Sequence, residues 1–195
     1  IIENFGADTA RFFMLSDSPP NRDMEWSDSG VEGSWRFLNK LWKFVISLPK
    51  NKINEKLPIN LSKKNKNLIS VLHKSIKDIT KAIDEFHFNL AVASIRSLFN
   101  SLSSHQINDD DDKIIVIHVT KKFLILINPM VPHLAEELWN ILENKELISN
   151  ESWPTVDLNY IQKNSVKIPI QVNGKVRAVI EVPKDSDEND LKEIA

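Results

Sequence analysis

Arg36, Lys40 and Lys43 recur at spacings of four and three in a stretch whose other positions are mostly apolar, which puts three cations on one face of a helix. The chemistry such a row supports is anion binding. RNA duplexes are gripped mainly through backbone and shape, so cations set along a rigid rod suit phosphates. A solvated helix face has the same pattern, and spacing alone leaves both uses open. Lys175 and Arg177 form a smaller pair, two apart in a run rich in β-branched residues. Strand alternation would send both to one face, to meet RNA or to guard an exposed sheet edge. A third row, Lys63, Lys66, Lys74, Lys77 and Lys81, lies roughly opposite an apolar stripe and reads first as a solvated face, with RNA contact as its secondary use.

Chemistry beyond binding has no visible carrier. There is no glycine-rich phosphate loop and no nucleophile elbow in a chain with four glycines. His133 with Glu136 and Glu137 comes nearest to a metal-binding helix, but the second histidine of such motifs is missing, and a histidine near a helix start after Pro132 is the simpler reading. His73, His87, His105 and His118 lack paired carboxylates at useful offsets, so no general acid or base, metal ligand or cofactor residue is assigned. The absence of cysteine excludes disulfides and thiolate chemistry and fits a reducing, cytoplasmic compartment. A net charge of -2 supplies no global positive field, so RNA contact would have to come from local clusters.

The elements that must position these residues follow from periodicity. With 195 residues, 42% of them hydrophobic, the chain can bury one full core and begin a second small one. Gly6 ends an incoming turn, and Asp8 is expected to cap a short helix that stops before Pro19-Pro20. Ser27 or Ser29 opens a long helix to about Leu48, apolar except for one arc of Glu32, Arg36, Asn39, Lys40, Lys43 and Ser47. Trp35 and Trp42 of that helix, and Trp139 later, fall on apolar faces and are expected in the core. A linker over 49–60 leads to a helix carrying Leu68, Leu72, Ile76, Ile79 and Ile83, and another follows from about Asn89. The acidic run Asp109 to Asp112 suits the N-terminus of a fourth helix, which Pro129 and Pro132 break before a fifth begins near His133. The apolar stretch from Ile114 to Ile127 is shorter than the roughly 20 residues needed to span a bilayer, so no membrane segment is expected. After Trp153-Pro154, two β-rich runs flank Asn173-Gly174, a strong hairpin signal, and a further helix is expected over 185–195. The expected fold is therefore mainly α: a helical bundle followed by the start of a small α+β domain.

Several stretches, in one order and over nearly the whole chain, resemble bacterial leucyl-tRNA synthetases of class I. FGADTARFFMLSDSPP (5–20) resembles the segment after the KMSKS loop, and DMEWSDSGVEGSWRFLNKLWKFV (23–45) resembles the opening of the anticodon-binding-type bundle. FHFNLAVASIRSLFN (86–100) and LINPMVPHLAEELW (126–139) are similar to later bundle helices in looser form shared with valyl and isoleucyl enzymes. IPIQVNGKVRAVIEVP (168–183) resembles the start of the leucine enzyme's C-terminal domain. The resemblance implies a connector over 1–28, a tRNA-binding bundle over 29–154, and a linker with a truncated α+β domain over 155–195. It implies a piece of a longer monomeric enzyme, catalytically inactive alone, that positions tRNA(Leu). The missing catalytic domain would take leucine, ATP and Mg2+, and this piece would hold no cofactor. The resemblance also marks Arg36 and Lys40 as positions that approach tRNA. The family often has arginine at the second, so Lys40 keeps the charge without the bidentate fork. The alternatives are the corresponding part of a valyl or isoleucyl enzyme, or a non-enzymatic helical interaction module.

Overall fold

The computed structural model describes residues 2–19, 21–23, 26–49, 57–161, 165–172 and 175–183. The chain divides into two compact units, residues 1–160 and 161–195. The described part of the first contains helices α1 (Ile2–Phe5), α2 (Ala7–Asp17), α3 (Asp28–Ile46), α4 (Lys63–Asp84), α5 (Phe88–Ser103), α6 (Asp110–Ile127) and α7 (Pro132–Ile141), then short 3-10 turns at Ile148–Asn150 and Leu158–Tyr160. None of the described helices is long and apolar enough to cross a membrane.

Helix starts follow their caps. Ser27 Oγ accepts from Gly30 N at 3.2 Å, and Ser62 Oγ from Asn65 N at 3.3 Å. Asp109 Oδ1 accepts from Asp112 N at 2.8 Å, with Asp110, Asp111 and Asp112 in the first turn of α6, where the helix dipole favours negative charge. Asp8 departs from expectation. Gly6, at φ 82°, occupies the N-cap position of α2, and Asp8 lies inside the first turn. Its carboxylate instead serves a distant helix, accepting from Leu134 N at 2.7 Å and meeting His133 Nδ1 at 2.9 Å at the start of α7. The N–H groups of a helix start need acceptors, and a carboxylate from another element serves as well as a local one.

Among the described residues, one large cluster makes up most of the buried core. From α3 it takes Phe37, Leu38, Leu41 and Val45, and from α4 Leu68, Ile69, Leu72, Ile76 and Ile79. α5 and α6 supply Ile95, Leu98, Phe99, Val119, Phe123 and Leu124, and α7 supplies Leu138 and Trp139. Residues 1–28, expected as a connector, contribute to it as well: Phe12 is fully buried in this cluster and stacks on Phe37, with ring centres 5.2 Å apart. Gly30 lets α2 lie close on α3, since a Cβ there would stand 2.6 Å from the Phe13 ring. The bundle also runs past residue 154. Trp153 Nε1 donates to Thr80 Oγ1 at 2.8 Å, Asp157 N donates to His73 Nδ1 at 3.1 Å, and Tyr160 stacks on His73 at 4.9 Å, strapping this segment along α4.

In the second unit, β1 (Ser165–Val172) and β2 (Lys175–Pro183) pair antiparallel. Ile170 faces Ala178, but Gln171 faces Val176, so a bulge leaves Arg177 without a partner in the ladder. The expected turn at Asn173-Gly174 and the expected helix over 185–195 lie outside the described residues.

Candidate nucleic-acid interface

α3 presents Arg36, Lys40 and Lys43 to solvent along one strip, together with Glu32 and Ser47. Asn39, half-buried at the edge, turns its amide back to Trp35 O at 2.9 Å. The flanks of the strip are held by buried Phe37, Leu38, Leu41 and Val45, so the amphipathic pattern that forms the helix also fixes which way its cations face. Among the described residues, no carboxylate pairs with Arg36, Lys40 or Lys43. The Lys40 ammonium lies 5.5 Å from the centre of the Phe99 ring, a cation–π contact that draws it toward α5 while the side chain stays exposed.

Arg96 is the cation that sequence reasoning passes over. The apolar stripe of Val92, Ile95, Leu98, Phe99 and Leu102 dominates the pattern of α5, and Arg96 lies beside that stripe, half-buried. Its guanidinium sits 4.6 Å from the Phe37 ring centre and 5.1 Å from that of Phe12. The signal that could have found it is charge: α5, FNLAVASIRSLFNSLS, contains no carboxylate, and Arg96 is its one Lys or Arg.

Lys63, Lys66, Lys74, Lys77 and Lys81 are exposed along α4, and Lys81 lies 3.9 Å from Glu85 of the same helix end. Lys64 is turned the other way. It forms an ion pair with Asp112, which is fully buried and also accepts from Asn65 Nδ2 at 3.0 Å and Asn108 N at 2.9 Å. Asn65 Oδ1 in turn meets His105 Nε2 at 2.9 Å. Burial pushes the Asp112 pKa upward, but the hydrogen bonds from Lys64, Asn108 and Asn65 and the Lys64 charge together outweigh it and bring the value down to about 2. This clasp joins α4 to the start of α6, and its two charges neutralise each other.

Arg177 is exposed, while the side chain of Lys175 lies outside the described residues. The bulge falls at Arg177 itself, so simple strand alternation does not fix the face of its side chain. His133 and Glu136 serve the bundle: His133 meets Asp8, and Glu136 accepts from Ile148 N at 3.2 Å. Trp139 is buried as expected, with Nε1 donating to Glu146 O at 3.0 Å. Trp35 is not a core residue. It is 43% exposed, with the Phe5 ring edge-on at 6.3 Å between centres, and with half-buried Trp42 it lines an open groove of about 550 Å³ between α1–α2, α3 and α7. α3 is apolar over more of its circumference than its neighbours in this unit can cover.

The described residues thus form a helical bundle whose first long helix carries Arg36, Lys40 and Lys43 on an exposed strip. Residues 65–194 match the family model of the anticodon-binding domain of tRNA ligase, and the chain belongs to that family. The chain is 41% identical to the leucine–tRNA ligase of Paramagnetospirillum magneticum over 96% of its own length and 22% of that protein. It is 40% identical to that of Thermosipho melanesiensis over 100% of its length and 24% of the relative. It thus spans about a quarter of the length of these curated relatives, and the resemblance to bacterial leucyl-tRNA synthetases is matched from end to end. Among solved structures, the leucyl-tRNA synthetase in the ternary complex with tRNA and LeuAMS from Agrobacterium radiobacter aligns with a TM-score of 0.80 at 26% identity, covering 98% of this chain and 25% of that one. The free Mycobacterium tuberculosis methionyl-tRNA synthetase aligns with a TM-score of 0.55 at 16% identity over 71% of this chain and 33% of that one, a likeness of fold alone.

Proposed function

We propose that this chain is the tRNA-positioning part of a leucine–tRNA ligase and that Arg36, Lys40 and Lys43 dock the tRNA backbone. The observation that carries the reading is the α3 strip: three exposed cations on a helix anchored in the core by Phe37, Leu38, Leu41 and Val45, with no carboxylate among the described residues paired with them. Each phosphate met by such a cation releases condensed counterions, and a rigid helix fixes the register of the contact. Docking of the tRNA body then delivers the acceptor end to an active site elsewhere in the enzyme, where orientation lowers the barrier to transfer. Leucine, ATP and Mg2+ would be handled by the parts of the relatives that lie beyond this chain. Arg177 and Lys175 of the hairpin are assigned as secondary tRNA contacts. The assembly is taken as a cytoplasmic monomer without a membrane partner.

The test has two arms. On this chain, labelled tRNA(Leu) is titrated at several salt concentrations; Arg36→Ala with Lys43→Ala should lower the steepness of log K against log salt by about 0.7–0.9 for each phosphate no longer neutralised. In the complete ligase, Arg36→Ala with Lys40→Ala should lower aminoacylation through weaker tRNA use while leaving leucine-dependent pyrophosphate exchange intact. Salt-insensitive binding, or equal loss in both enzymatic assays, overturns the docking role.

A further inference from the structure

We infer that Arg96 is a further phosphate-binding residue, extending the tRNA-docking surface from α3 across the seam to α5. The inference rests on the docking role of α3 and adds a residue on another helix. Arg96 is not an idle surface charge. It is half-buried, and its guanidinium is held by the Phe37 and Phe12 rings at 4.6 and 5.1 Å. Those rings are themselves stacked, with an interplanar angle of 6°. Seating against rings restrains the guanidinium, and no hydrogen bond among the described residues spends its N–H groups, which remain as the fork that oxyanions take bidentately.

Two further observations identify the missing partner as an anion. Among the described residues no carboxylate pairs with Arg96, and α5 carries none at all. A cation partly withdrawn from water without a counter-ion gains more from an incoming anion than a fully hydrated one does, because the local dielectric is lower; the same withdrawal depresses its pKa. The neighbour across the seam is also a cation. Lys40 lies 5.5 Å from the Phe99 ring, and Phe99 meets Phe37 edge to face at 5.4 Å, so Arg96 and Lys40 cap adjoining rings of one aromatic cluster. A polyanion crossing from α3 to α5 would meet both cations in turn. RNA backbone meets this need with repeated phosphates.

The competing use of Arg96 is as a purely structural pin over Phe37 and Phe12, and the experiment separates the two. Arg96→Met keeps an unbranched, polarisable side chain against the rings and removes the charge; Arg96→Lys keeps the charge and loses the fork. tRNA(Leu) binding to the full chain is measured across a salt series beside Arg36→Ala with Lys43→Ala, with thermal melting followed for each variant. The expected result for Arg96→Met is a salt dependence shallower by about 0.7–0.9 and a loss of affinity that is largest at low salt, with Arg96→Lys recovering the salt dependence. An unchanged salt dependence in Arg96→Met, whatever its melting temperature, while the α3 pair shows its own loss, overturns the Arg96 role alone. Salt-insensitive binding by the unaltered chain overturns the α3 reading and this one with it.

Discussion

At the scale of single residues, Asp112 shows how a charge can be fully buried and still be ionised. Its ordinary pKa of 3.8 falls to about 2 because Lys64, Asn65 and Asn108 together outweigh the cost of burial. The folded chain therefore holds this proton less tightly than the unfolded chain. The associated stabilisation is complete above the ordinary value and drains away as pH falls from about 4 toward 2. The shift corresponds to about 2 kcal/mol. Acid titration followed by circular dichroism should show the stability gap between the native chain and Asp112→Asn narrowing through that window, and a constant gap would deny the clasp any role in acid stability. The sequence made part of this readable: four successive aspartates suit a helix start. It did not make Lys64 readable, because a lysine 48 positions away looks like any other lysine until α4 and α6 are packed. Trp35 misleads for the opposite reason. Its spacing is apolar, but periodicity says which residues share a side and not which side has a neighbour to cover it.

At the scale of elements, apolar period marks the helices, and the starts of α3, α4 and α6 follow Ser27, Ser62 and Asp109. Their ends are harder to read. α4 and α7 each finish with a left-handed residue and paired backbone bonds, His87 N to Ala82 O at 2.7 Å and Asn144 N to Trp139 O at 3.4 Å, but the left-handed positions hold Phe86 and Glu143 rather than glycine. Without glycine the stop signal is invisible in the sequence. The bulge at Arg177 is equally silent, since β-branched runs look alike with or without one extra residue. Where glycine is present at a contact, its role is steric. Gly30→Ala would force a Cβ into the Phe13 ring and should cost about 1–3 kcal/mol in urea unfolding, with the melting temperature falling accordingly; a neutral result would mean that α2 can draw back from α3 without loss.

At the scale of the whole chain, the family is legible in linear motifs, and the extent of the first compact unit is not. The strap from Trp153 to Tyr160 carries turn-like sequence and is fixed by hydrogen bonds and ring contacts to α4 that no local pattern announces. The buried core cluster lies within residues 12–148, and a two-stranded hairpin contributes little stability by itself. A chain ending after residue 160 should therefore keep its helical circular dichroism and melt within a few degrees of the full chain. A collapse of the transition on truncation would show that the second unit is needed for the bundle to fold.

The strap also decides where mechanical load enters. It runs back along α4 from Thr80 to His73, so a pull on anything tethered after residue 161 is first borne near the middle of that helix, across several attachments at once, and not by the C-terminus of α7. The strap thereby shields the C-terminus of α7 from a load applied further along the chain.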